Sequence, residues 1–176
     1  MAISGSSIIA PSLPGNTLAT ETISIDSSTP SGYLTPQVSG GFTVTGAANG
    51  QSVAINGVHL KGADSQNSVI DKTLTTNSTL GGSPLIVQFS SCGSSARTVT
   101  SGAIVTENNS SPGNPTISSF NNVVRNGVSC FPQSGNIVEK STSKGQSSTL
   151  TFIGSGNATL IDIDGKTYNF TLRYCF

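Results

Sequence analysis

Apolar residues in this chain alternate with polar ones in short runs, and turn-forming dipeptides separate the runs. Strands need a side-chain period of two and helices a period near 3.6, so this spacing decides the class. No stretch sustains helical 3,4 spacing for three turns. Thr20 to Asp26 reads T-E-T-I-S-I-D, with Thr22, Ser24 and Asp26 on one side and Ile23 and Ile25 on the other. Phe42 and Val44 lead into Asn49-Gly50, Val53 and Ile55 into Asn56-Gly57, and Val58 and Leu60 follow. Asn-Gly suits the two positive-φ positions of a type I′ turn, so each dipeptide predicts a hairpin. Further strands are expected at Leu85 to Phe89, Arg97 to Thr106, Ile117 to Val124 and Asn136 to Lys140. Pro, Gly and Ser mark Pro30 to Gly41 and Ser110 to Pro115 as loops. Many short strands at this spacing predict an all-β fold, an antiparallel β-sandwich of immunoglobulin-like or jelly-roll-like topology.

The carboxyl-terminal part gives the clearest local pattern. Thr149 to Ile153, Ala158 to Ile163 and Thr167 to Phe176 read as strands joined at Ser155-Gly156-Asn157 and Asp164-Gly165. A two-residue turn at Asp164-Gly165 opposes Ile161 to Tyr168 and Thr159 to Phe170. One face of the last strand then carries Tyr168, Phe170, Leu172, Tyr174 and Phe176 and is expected to be buried. Asn169, Thr171, Arg173 and Cys175 lie on the other. An apolar strand this close to the last residue calls for a partner on both sides, because chain ends otherwise fray.

Composition decides which functions to set aside. Only 9% of the 176 residues are charged, against roughly 25% in an ordinary soluble domain. Eight basic and eight acidic residues give no net charge, so repulsion does not oppose self-association. Nucleic-acid binding needs a concentrated Lys/Arg patch to displace phosphate counterions, and the cations here are few and scattered. No apolar run approaches the ~18 residues of a membrane span. Met1-Ala2-Ile3-Ser4-Gly5 shows neither a basic nor an apolar leader region, so a signal peptide is either already removed or never used.

No catalytic constellation emerges. There is no G-x-S-x-G, and His59 is the single histidine, which is expected to be a surface or turn-adjacent residue. Asp162-Ile163-Asp164-Gly165 begins like a calcium loop, lacks its later ligands, and reads better as a hairpin turn. Asp64 to Asn67 and Glu107 to Asn109 offer oxygen atoms but need be no more than solvated loops. No cofactor or metal is implied. A carbohydrate-binding surface needs an aromatic platform, and Tyr33, beside Gly32 and near Pro36, is the candidate glycan contact. N-x-[ST] triplets begin at Asn77, Asn108, Asn109, Asn157 and Asn169. Cys92, Cys130 and Cys175 are far apart and form no CxxC, which argues against zinc. Three fates stand open for them: buried small apolar side chains, one intrachain disulfide with a thiol left over, or a bond between subunits.

Low charge, the absence of Trp and abundant Thr, Ser, Gly and Asn accompany a final alternating strand, Tyr168-Asn169-Phe170-Thr171-Leu172-Arg173-Tyr174, with Gly165 before it. In these respects the chain resembles the fimbrial (pilin) subunits of Gram-negative chaperone–usher pili. That resemblance implies a non-enzymatic structural subunit of an extracellular filament, self-assembling by β-strand complementation and in some cases adhesive. It further implies an assembly arm at residues 1–20, around Ile8 and Ile9, ahead of a single domain at 21–176. Tyr168, Phe170, Leu172 and Tyr174 would then form the acceptor edge. Two other readings fit the composition: a virion structural protein (capsid, tail or decoration subunit) and a carbohydrate-binding module. The expected partners are further copies of the chain and a host or surface glycan.

Overall fold

The computed structural model describes residues 19–27, 37–47, 50–63, 69–89, 96–126 and 131–172. Eleven strands form one sheet in which every pair is antiparallel. They are β1 (Ala19–Ser27), β2 (Gln37–Ala47), β3 (Gly50–Ala63), β4 (Val69–Thr75), β5 (Ser83–Phe89) and β6 (Arg97–Asn108). There follow β7 (Thr116–Arg125), β8 (Ser134–Ser141), β9 (Ser147–Gly154), β10 (Asn157–Ile161) and β11 (Thr167–Thr171). The all-β antiparallel class expected from the sequence is the class the chain adopts. Apart from β4 and β5, strands adjacent in sequence lie side by side, so the order of the described strands is that of a meander, without the long crossovers of immunoglobulin or jelly-roll topologies.

β4 and β5 share one position in the sheet. Residues 58–63 of β3 and 105–108 of β6 pair with β4. Residues 50–53 of β3 and 97–103 of β6 pair with β5. Where the two half-strands meet, Ile55 in β3 has no strand opposite it on that side, and its backbone groups need other partners. Thr76 supplies both. Its amide donates to the Ile55 carbonyl at 3.1 Å, and its hydroxyl accepts from the Ile55 amide at 3.0 Å. Thr76 is buried for this reason. A single 3-10 turn at Ser78–Leu80, capped by the Asn77 side chain, then returns the chain into β5.

Two expected turns are relocated. Asn56-Gly57 makes no hairpin. It lies inside β3, where Gly57 and Val58 face the single residue Gly40 of β2 as a bulge, with Gly57 at φ 67°. Gly50 already belongs to β3 and pairs with Ala47, so Asn49-Gly50 is not the centre of its turn. β4 was not expected at all, because Asp71-Lys72 interrupts the alternation between Ile70 and Leu74. β5 shows the period of two most cleanly: Ser83, Leu85, Val87 and Phe89 are half-buried, while Pro84, Ile86 and Gln88 are exposed.

The core cluster joins buried Val123, Phe152 and Ala158 to half-buried Val99, Phe120, Ile137, Leu150 and Leu172. Cross-strand register builds it: Val99 opposes Val123, Phe120 opposes Ile137, Ile137 opposes Leu150, and Phe152 opposes Ala158. Phe120 and Val123 are three apart, a separation that in a plain strand places residues on opposite faces. A bulge at Asn122 (φ 48°) resets the alternation and brings both to the cluster.

Candidate functional site

The last hairpin ends the sheet and carries Tyr168 and Phe170, two of the residues expected to mediate assembly, with Leu172 directly after it. Its turn is longer than expected. The Asp162 amide donates to the Lys166 carbonyl, and the Gly165 amide donates to the Asp162 carbonyl at 3.0 Å. Ile163, Asp164 and Gly165 therefore form a three-residue loop, with Gly165 at φ 77° in the left-handed position such loops require. The Asp162 carboxylate fastens it by accepting the backbone amides of Asp164 at 2.9 Å and Lys166 at 2.8 Å.

The extra loop residue shifts the strand register by one. Leu160, not Ile161, opposes Tyr168, and Ala158, not Thr159, opposes Phe170. The shift places Tyr168 and Phe170 beside the apolar Ala158 and Leu160. On the other face, the Thr159 hydroxyl donates to Asn169 Oδ1 at 2.8 Å, and the Thr171 hydroxyl to Asn157 Oδ1 at 3.0 Å. The Leu172 amide donates to the Gly156 carbonyl at 2.7 Å, holding the end of β11 against the β9–β10 turn.

The expected burial of this face is corrected. Tyr168 is 48% exposed and Phe170 39%, and only Leu172 of the three packs on the core cluster. The cause is position. β11 is the last strand of the sheet and pairs only with β10 among the described residues, so no neighbour covers its outer side. All five of its residues are exposed. A shallow cleft of about 300 Å³ lies here, lined by Ile153, Asn157, Ala158, Asn169, Phe170 and Thr171. Ile153 and Ile161 add exposed apolar surface. Ile8, Ile9, Tyr33, Cys92, Cys130, Tyr174 and Cys175 lie outside the described residues.

A hydrogen bond from the Tyr168 hydroxyl to the Asp162 carboxylate raises the Tyr168 pKa above the ordinary 10.0, and the carboxylate's charge and partial burial act in the same direction. A raised folded-state pKa contributes stability that is present below pH 10.0 and lost as pH rises through the raised value. Ultraviolet titration should therefore find a tyrosine step above 10.0. Asp162→Asn should bring that step back toward 10.0; an unchanged titration would remove Asp162 as the cause.

A second polar cluster lies at β3 and β4. Nε2 of His59 donates to Asp71 Oδ1 at 2.7 Å, and the Asn109 amide donates to the same oxygen at 2.7 Å. Asn109 also bonds Thr73. These bonds, first from Asn109 and then from His59, hold the Asp71 carboxyl below its ordinary 3.8. His59 thus sits within β3, with its side chain partly exposed, and pins that strand to β4. No sequence pattern marks its partners, because Asp71 lies in β4, whose alternation is interrupted, and Asn109 is 38 residues beyond Asp71. Among the described residues no group of three or more His, Cys, Asp or Glu side chains is placed to hold a metal ion. No helix there is long and apolar enough to cross a membrane.

Comparison of the chain with protein-family models, with curated proteins and with solved structures gives no match.

Proposed function

We propose that this chain is a non-enzymatic structural subunit of an extracellular filament, assembling by β-strand complementation at the β11 edge. The observation that carries this reading is an edge strand with exposed aromatic side chains and, among the described residues, no protective device. Sheet edges present unpaired N–H and C=O groups to any other strand, and proteins usually blunt them with charge, Pro or a covering segment. β11 contains neither charge nor Pro within its five residues, and Tyr168 and Phe170 stand half-exposed along it. A strand added there gains main-chain hydrogen bonds and covers both rings. Such an interface needs few charged residues, in keeping with a chain that has eight of each sign.

The test is negative-stain electron microscopy of the purified protein with and without reductant. Filaments are expected, and their loss on reduction would assign a cysteine to an intersubunit bond. Closed shells would favour a virion component. Isolated monomers at every concentration would overturn the proposal.

A further inference from the structure

The sheet occupies ten positions, because β4 and β5 share one, and every neighbouring pair is antiparallel. Nine successive reversals separate β1 from β11, so the two edge strands run in opposite directions. Two copies set side by side in the same orientation thus bring β11 of one against β1 of the next as an antiparallel pair. The meander then continues across the junction without a break in its hydrogen-bonding pattern. An odd number of positions would have made that junction parallel, a slightly less stable pairing.

We infer that the strand received by β11 is β1 of a second copy, giving a head-to-tail sheet that propagates from subunit to subunit. This inference rests on the filament reading above and names its partner. Each strand leaves one side unpaired among the described residues: β1 pairs only with β2, and β11 only with β10. Their charges are complementary. β1 holds Glu21 and Asp26 and no cation, whereas β11 holds no acid, follows directly on Lys166 and precedes Arg173 in sequence.

Register follows from matching the two patterns. Opposing Ile23 to Phe170 and Ile25 to Tyr168 lines up the apolar positions of both strands. The same alignment opposes Thr22 to Thr171 and Ser24 to Asn169, polar pairs of the kind that support antiparallel strands. It places Asp26 one step from Lys166. Sliding by two residues, so that Ile25 meets Phe170, keeps the apolar match but carries Asp26 away from Lys166. A heterologous junction of this kind leaves a free β1 and a free β11 at the two ends, and so forms an open filament instead of a closed dimer.

The experiment mixes full-length chains carrying Ser24→Cys with full-length chains carrying Asn169→Cys, under mild oxidation. The two unmixed variants serve as controls for Cys92, Cys130 and Cys175, which are present throughout. Mass spectrometry should find a disulfide joining position 24 of one copy to position 169 of another, in the mixture only. Removal of residues 1–18 should leave the assembly threshold within about twofold of the full chain. Filaments without the 24–169 bridge, or filaments lost with residues 1–18, would overturn the β1 assignment while leaving the filament reading intact. No assembly of the unaltered chain would overturn both.

Discussion

Gly135→Ala should destabilise the subunit by about 3–4 kcal/mol, whereas Gly113→Ala should cost about 1–2 kcal/mol. The backbone explains the difference. Both glycines have nearly the same positive φ, 95° and 93°, so the strain on a new side chain is similar and of order 1–3 kcal/mol. Their surroundings differ. A Cβ at Gly113 meets nothing within 4 Å, while one at Gly135 falls 2.2 Å from the Asn122 carbonyl oxygen and 2.6 Å from Val123 Cα. Both atoms are backbone and cannot swing aside, so relief requires opening the bulge, with overpacking typically adding another 1–3 kcal/mol. Opening the bulge also undoes the reset that turns Val123 into the core beside Phe120. Urea unfolding of both variants measures the gap. Equal losses would show that φ strain alone matters and that the Asn122 backbone can yield.

This bulge also marks where the sequence stops being legible. Ten of the eleven strands overlap the expected ones, because a period of two is written directly in residue type, although β2 begins at Gln37 inside the segment expected as a loop and β3 runs through an expected hairpin as one strand. Turns are less transparent. Asn56-Gly57 carries the hairpin dipeptide yet serves as a bulge, because what decides is the partner strand: Gly40 lets two residues of β3 oppose one of β2. Asp164-Gly165 lies in the expected turn, but the Asp162 carboxylate captures two amides and fixes a three-residue loop, which moves the register by one. The composition of Tyr168 to Leu172 gave the shared face correctly. It could not give burial, because exposure depends on whether a twelfth strand lies beyond β11. The His59–Asp71–Asn109 cluster was hidden for a related reason: its members meet only once β4 is placed between β3 and β6.

Phe152→Ala should lower the stability of the isolated subunit by about 3–5 kcal/mol, the usual result of truncating a buried aromatic ring. Phe152 is 7% exposed and lies in the cluster with Val123 and Ala158, among Leu150, Ile137 and Phe120, so a cavity would open where four strands meet. Phe170→Ala should cost the isolated subunit less than half as much, since its ring is 39% exposed and covered on one side only. The order should change in the assembled protein. A strand seated on β11 buries the Phe170 ring, so Phe170→Ala should raise the concentration needed for assembly by tenfold or more, about 1.4 kcal/mol by the equilibrium relation. Phe152 lies within the sheet, away from that edge, and its loss should act on folding before it acts on assembly. Chemical denaturation of the monomer and sedimentation across a concentration series separate the two effects. A Phe170→Ala subunit that loses as much folding stability as Phe152→Ala would mean that β11 is already covered within a single chain. The edge would then be a finished part of the fold and not a place where the next copy begins.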